Sequence, residues 1–240
     1  MCLPTKQYCW LKRYELFRLD QYGVLYGMLV CKVKQKKRKC QTFFVNLHRP
    51  YRLIMRTIAI QYYDSPCGTL LLGGTAGRLC LCDWTASRHR ERTDARLQRT
   101  LKAEYAIGLS DVVSRAMSEL DEYFLGKRTA FDIPLLMAGT EFQKQVWQSL
   151  LAIPYGTTIS YSEEARRIGM PAAVRAVANA NGANPVSIFV PCHRVIGCNG
   201  TLTGYGGGTA AKQWLLQLEQ SGKMLFSSII QSSVHPLALH

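Results

Sequence analysis

The chain has 240 residues, 48% of them hydrophobic and 19% charged, with nine cysteines and a formal net charge of +14. That much apolar material builds one or two cores rather than a disordered tail, and no apolar stretch approaches the ~20 residues that cross a bilayer. Met1-Cys2-Leu3-Pro4 lacks the pattern of an export signal, so a secreted disulfide scaffold is set aside with the membrane protein and the collagen-like fibre, and free thiols in a cytoplasmic protein are expected.

The charge is uneven. Residues 1–54 hold twelve of the thirty Lys and Arg but two of the sixteen acids, Glu15 and Asp20, which puts +10 on that block and +4 on the rest. It peaks at Lys32-Val33-Lys34-Gln35-Lys36-Lys37-Arg38-Lys39. Such a run suits a nucleic-acid tether, but runs of like charge are more often solvated and unstructured. Residues 1–54 are therefore read as a poorly ordered basic extension.

From Met55 the texture changes. Arg56–Tyr63 is β-branched and aromatic, Asp64–Gly68 is a turn, Thr69–Gly73 a returning strand, and Leu79–Trp84 a third strand after Gly77. Residues 88–105 are charge-rich and partly helical. Ser110 then caps a helix with Val112, Val113, Ala116, Leu120, Tyr123 and Phe124 on one side, stopped by Gly126. The expectation is an α/β sheet domain over 57–138.

A second region, 139–222, is mainly helical. Thr140 with Gln143 is a capping-box pattern. The helix it opens carries Phe142, Val146, Trp147, Leu150 and Leu151, and ends at Pro154-Tyr155-Gly156. Ser160 with Glu163 repeats the capping pattern, for a short helix through Ile168 stopped by Gly169. Pro171 suits the first turn of another helix, to about Asn181, with Gly182 as its stop. Two helices around a Gly-containing break form a helix-turn-helix. A strand at Ser187–Val190 runs into Pro191-Cys192-His193-Arg194; after a Gly-rich loop at 204–208, a last helix bears Trp214, Leu215, Leu216 and Leu218 and ends near Gly222. Residues 223–240 form a C-terminal tail.

Two features carry chemistry. The second helix of the helix-turn-helix is rich in alanine (Ala172, Ala173, Ala176, Ala178 and Ala180), with Arg175 its one charged side chain: either a buried packing helix, or a smooth probe that approaches a groove and inserts an arginine. Cys192 is followed directly by His193, whose imidazole can favour the thiolate, and Glu219 is the carboxylate available to orient it. Taken alone, a Cys-His pair is more often structural than catalytic. Cys80-x-Cys82 with His89, and Cys192 with Cys198, do not fit zinc-ligand spacing, so no metal is expected.

Ser187-Ile188-Phe189-Val190-Pro191-Cys192-His193-Arg194-Val195-Ile196-Gly197 resembles the signature of O6-alkylguanine-DNA alkyltransferases. The resemblance extends to Ile159-Ser160-Tyr161, Arg175-Ala176-Val177, Asn181-Gly182-Ala183-Asn184-Pro185, Thr203-Gly204-Tyr205-Gly206-Gly207 and Lys212-x-Trp214-Leu215-Leu216. It covers about 57–222, densely from Thr140 onward. It implies a ribonuclease-H-like sheet domain, then a winged-helix-like helix-turn-helix domain.

By this resemblance Cys192 is the acceptor thiolate, His193 takes the thiol proton through a bridging water, and Glu219 holds the histidine. Asn184 stiffens the link between recognition helix and active-site segment. Arg175, beside Ala176, is the finger that fills the DNA stack where the damaged nucleotide has swung out. Tyr161 crowds the phosphate and donates a proton toward the departing guanine. Tyr205 walls the pocket, Gly206 offers a backbone N–H to the guanine oxygen, and Val195 a carbonyl to its amino group. Gly206 stands where some relatives have serine, and the zinc ligands of vertebrate members have no counterpart.

The implied activity is stoichiometric, irreversible transfer of a methyl or other alkyl group from O6-alkylguanine, and O4-alkylthymine, in double-stranded DNA to Cys192. It needs no cofactor and suits a monomer. A damage sensor without transfer and a cysteine hydrolase are the rival classes. The sensor-type relatives lack the cysteine that this chain keeps, and the helix-turn-helix argues against the hydrolase.

Overall fold

The computed structural model describes the backbone of residues 14–19, 25–33, 41–46 and 56–233, and side-chain surroundings over 56–222. The chain divides into two compact units, Met1–Met55 and Arg56–His240.

In the first unit, β1 (Tyr14–Leu19), β2 (Leu25–Val33) and β3 (Gln41–Asn46) form an antiparallel sheet in that order. Where the sequence suggested a poorly ordered extension, the backbone is thus extended and paired. The reason lies in Leu25–Val33 and Gln41–Asn46, which are rich in β-branched and aromatic residues that favour strands. The charge run dominated the reading, but Lys34–Lys39 fall between the strands and lie outside the described residues, as do 234–240 of the tail.

The second unit opens with the expected meander: β4 (Arg56–Ser65), β5 (Gly68–Thr75) and β6 (Arg78–Trp84). A further strand, β7 (Ala103–Ile107), pairs in parallel with β4 from Arg56↔Ala103 to Ile60↔Ile107, giving the order β6-β5-β4-β7. It follows α1 (Arg90–Leu101), which ends in a left-handed Lys102 that turns the chain back. Charge across 88–105 obscured this split.

Alternation along β5 sends Leu70 and Leu72 to one side and Leu71 to the other. The first pair joins Val112, Val113, Ala116, Leu120 and Tyr123 of α2 (Asp111–Phe124); Leu71 joins Ile58, Leu81 and Leu97 of α1. Each such aliphatic side chain contributes about 1.5–3 kcal/mol when taken fully out of water.

The helical half has α3 (Glu141–Leu150), α4 (Tyr161–Arg167), α5 (Val174–Gly182) and α6 (Gly208–Ser233). β8 (Ile159–Ser160) pairs in parallel with β9 (Val195–Ile196). The Thr140 capping box is complete, Gln143 N donating to Oγ1 at 3.2 Å and Thr140 N to Gln143 Oε1 at 3.0 Å. At Ser160 only half of it forms: Glu163 N donates to Oγ, while the Glu163 carboxylate pairs with Arg166 and Arg167.

Three boundaries depart from expectation. α5 begins at Val174, not Pro171, because Met170–Ala173 closes a turn of its own (Ala173 N to Met170 O, 2.9 Å). The strand at Ser187–Val190 is replaced by a tight turn, with Val190 N bonded to Val186 O at 2.9 Å and Ile188 at φ 73°. α6 runs through Gly222 instead of stopping there. A Cβ at Gly222 would lie 2.7 Å from the Tyr155 hydroxyl, so that glycine serves close approach rather than termination.

The free edge of β6 joins the two halves. Leu79 bonds to Pro134 O and receives Leu136 N, while Cys82 N donates to Pro185 O at 2.9 Å and Ser187 N to Cys82 O at 2.6 Å. An otherwise open strand edge is thereby covered, and the segment leading to Cys192 is fixed on the sheet. From α1, Arg96 Nη2 donates to Ala183 O at 2.6 Å just past the end of α5, with its guanidinium 5.5 Å from the Trp147 ring centre. A cation there also complements the helix dipole. Among the described residues no helix is long and apolar enough to cross a membrane.

Candidate active site

Cys192 opens a 3-10 turn, Cys192–Arg194, that ends where β9 begins. Its thiol is 6% exposed. Asn184, just past α5, donates from Nδ2 to Cys192 Sγ at 3.2 Å and to Val190 O at 2.8 Å, and its Oδ1 receives Val186 N at 3.0 Å. One amide thus holds both the turn and the sulfur. Burial pushes the Cys192 thiol up to about 11, against the Asn184 hydrogen bond and the Lys212 charge; Asp83 and Glu164 push the same way as burial. At rest the sulfur is a thiol.

His193 is fully buried, its Nε2 2.9 Å from Glu219 Oε1. Burial holds the imidazole below its ordinary value, helped by Arg194 and Lys212 and opposed by Glu219. Glu219 gathers donors: Tyr123 OH at 2.9 Å, Arg194 Nη2 at 2.8 Å and Nε at 2.9 Å, and Gly156 N at 3.0 Å. Burial disfavours its charge, yet the His193 and Arg194 partners outweigh this and hold its carboxyl well below the usual range. An ionised Glu219 accepts from Nε2–H, which fixes the tautomer and leaves the Nδ1 lone pair as the base. Nδ1 is buried with no partner among the described residues.

Opposite the thiol, Tyr161 heads α4 and donates to Thr203 O at 3.1 Å; burial pushes its hydroxyl up to about 12. Lys212 of α6, 1% exposed, donates to Val195 O at 2.6 Å and Thr203 O at 3.1 Å. Tyr205 lies edge-on to both Trp84 and His193, at centroid distances of 5.9 and 6.3 Å. A Cβ on neighbouring Gly206 would face Asp83 Oδ1 at 3.3 Å. Arg175 and Ala176 stand apart, exposed on α5.

The structure therefore brings together Cys192, His193, Glu219, Asn184, Tyr161, Val195 and Tyr205, with Gly206 at the Asp83 side and Arg175 and Ala176 on the outer face. Sequence reasoning passed over Arg194, Tyr123, Lys212 and Asp83. Lys212 had a signal, being the one cation between Ala210 and Gly222. Asp83 and Tyr123 had none, since they come from the sheet half. Among the described residues no cluster of His, Cys, Asp and Glu could hold a metal ion.

The family profile for the 6-O-methylguanine DNA methyltransferase ribonuclease-like domain matches residues 58–137, and that for its DNA binding domain matches 141–221. The chain belongs to the O6-methylguanine-DNA methyltransferase family. It is 47% identical over 161 residues to the methylated-DNA–protein-cysteine methyltransferase of Mycobacterium bovis, which covers 66% of this chain and 90% of that protein. Its structure is similar to that of Mycobacterium tuberculosis O6-methylguanine methyltransferase, at 43% identity and TM-score 0.59, covering 70% of this chain and 99% of the other. The M. tuberculosis protein in complex with DNA matches at 43% identity and TM-score 0.58, over 69% and 94%. The mixed sheet followed by a helix-turn-helix half is this family's fold.

Proposed function

We propose that Cys192 is the acceptor in direct-reversal repair of O6-alkylguanine in double-stranded DNA. Alkyl transfer to a protein cysteine is the family's activity; the hydrogen bonds among Cys192, Asn184, His193 and Glu219 support their roles, and those of Tyr161, Val195, Tyr205, Gly206, Arg175 and Ala176 are what the family resemblance implies. The carrying observation is that a buried thiol bonded to Asn184 sits one residue from a histidine whose Glu219-fixed tautomer leaves Nδ1 free to accept a proton.

The chain's own groups supply each step. The Cys192 thiol gives its proton to His193 Nδ1 through a bridging water, and Sγ attacks the alkyl carbon in line with the breaking C–O6 bond. The bonding pair stays with O6, the Tyr161 hydroxyl gives a proton to the departing base, and the proton on His193 restores the tyrosine. Guanine leaves far better neutral than as an anion. Tyr161 must first release Thr203 O, and Lys212 keeps that carbonyl satisfied when it does. The second lone pair of Val195 O accepts the guanine amino group, Gly206 N–H meets O6, and Tyr205 closes the pocket. The product is a thioether, so each molecule acts once.

Because the thiol is buried, the base must come to it. Extrusion costs a few kcal/mol, less for a damaged base, and Arg175 from exposed α5 fills the gap, with Ala176 admitting close approach. The protein acts in this reading as a cytoplasmic monomer without a cofactor.

Intact-mass analysis after mixing with a duplex containing O6-methylguanine tests this. One added methylene, mapped to Cys192 and absent in Cys192→Ala, is expected. Repeated turnover with unmodified protein overturns the reading.

A further inference from the structure

One helix that the chemistry above leaves unused carries the net charge of the second unit. Arg56–His240 holds eighteen Lys and Arg against fourteen acids, a surplus of +4. Within residues 88–102 six cations stand against Glu91 and Asp94, so this short segment, α1 with its two ends, holds the whole surplus and the rest of the unit balances. Two of the six are engaged: Arg90 Nε donates to Asp94 Oδ2 at 2.9 Å, and Arg96 reaches Ala183 O and the Trp147 ring. The other four, Arg88, Arg92, Arg99 and Lys102, are exposed and form no ion pair among the described residues.

Arg92 and Arg99 lie seven residues apart, two turns on one side of α1, with exposed Ala95 between them and Arg88 and Lys102 at the two ends. Helix stability does not ask for this pattern. Arg92 and Arg96, and Arg96 and Arg99, are like charges at repelling separations, and Arg88 and Arg92 stand at the end where the helix dipole favours acids. The bond from Arg96 to Ala183 O, 2.6 Å long, sets this face beside the C-terminal end of α5. The helix-turn-helix brings little free charge of its own: of the three arginines on α4 and α5, Arg166 and Arg167 both pair with Glu163, which leaves Arg175. With nine residues, α5 is about 13 Å long. A duplex presents one phosphate charge about every 1.7 Å of its axis, so DNA lying on α5 carries many more phosphates than this helix can neutralise.

We propose that the exposed face of α1 is a second DNA contact: Arg92 and Arg99, flanked by Arg88 and Lys102, bind the phosphate backbone beside the lesion while α5 occupies the groove. The proposal rests on the reading that the protein takes double-stranded DNA along α5. Phosphate contacts position a duplex without reading its bases. The sheet half thus supplies a salt-dependent, sequence-independent share of the affinity, and the helical half recognises the damage.

Binding of the full chain to an undamaged duplex, followed by fluorescence anisotropy from about 50 to 200 mM salt, tests this. The fall of log affinity with log salt should flatten by about 1.8 in Arg92→Gln/Arg99→Gln, at about 0.9 for each phosphate contact removed. Any contribution from residues 1–54 is common to all variants and cancels in the difference. Arg92→Lys/Arg99→Lys keeps both charges and should keep the wild-type slope. Arg78→Gln/Lys127→Gln removes the same charge from exposed positions away from α1 and should also leave the slope as it is. An unchanged slope in Arg92→Gln/Arg99→Gln overturns the inference. Equal flattening in Arg78→Gln/Lys127→Gln overturns it too, because net charge rather than a contact on α1 would then account for the loss. Wild type that binds no duplex at all would instead refute the DNA reading on which the inference rests.

Discussion

Asn184 and Cys192 are joined by a 3.2 Å hydrogen bond whose donor amide also holds Val190 O and receives Val186 N. Asn184→Ala removes the only charge-stabilising hydrogen bond at the sulfur among the described residues and strands one buried backbone group, Val186 N, since Val190 O still receives Cys192 N at 2.8 Å. The stranded group costs about 1–3 kcal/mol. Transfer to a methylated duplex should fall at least about ten-fold, the effect of roughly 1.4 kcal/mol on the barrier. The apparent thiol pKa, read from reaction rate against pH, should rise. An unchanged profile would detach Asn184 from the chemistry.

Glu219 makes stability depend on acid. Its folded carboxyl ionises well below the unfolded value of about 4.3. The stability it contributes is therefore full above that value and lost as pH falls toward the folded one. Buried His193, held below its ordinary value, acts in the same direction: the unfolded chain takes up its proton first as pH falls through about 6.5. The midpoint of thermal unfolding should decline from about pH 6.5 downward, more steeply below about pH 4.5. Glu219→Gln should flatten the lower limb while destabilising the protein at neutral pH by about 3–5 kcal/mol, because Arg194 is left buried without its counter-charge.

Gly207 lies against the Trp84 indole. An added Cβ would come within 2.6 Å of the ring, a separation that forces the loop or the tryptophan to move. Gly207→Ala should destabilise by about 1–3 kcal/mol and slow transfer by displacing Tyr205 and Gly206. Trp84→Leu combined with Gly207→Ala should recover part of the activity relative to Gly207→Ala alone. No recovery would mean that the strain lies elsewhere in the loop.

Arg175 is exposed on α5 and tied to no catalytic group. Arg175→Ala should slow repair of duplex DNA severalfold more than repair of the same lesion in a single strand, where no stack has to be filled. Equal losses on both substrates would reject the finger role. Its unfolding free energy should stay within about 0.5 kcal/mol of wild type, as for other surface substitutions.

Much of the site was legible because it is local in sequence. Cys192, His193 and Val195 fall in one turn and its exit, and the Thr140 and Ser160 caps announced α3 and α4. What stayed hidden depends on contacts between distant segments. Tyr123 looked like one more apolar position on α2 until its hydroxyl met Glu219, 96 residues away. Gly222 looked like a helix stop because the approach of Tyr155 leaves no periodic trace. Ser187–Val190 has strand composition, but Pro185 and Pro191 flank it and its hydrogen bonds close on themselves around Ile188. Glu164 has no signal in the sequence; its burial follows from how three helices meet.

The depth of the acceptor sulfur has a practical side. Cys198, six residues along the chain, is exposed and Cys67 half-buried, whereas Cys192 is covered. Among the described cysteines, bench reagents that count free sulfhydryls, such as maleimides, will mark Cys198 before Cys192 in the native protein. A preparation that looks fully blocked by such a label can still be competent, and only unfolding it or offering it a lesion will reveal how much is unspent.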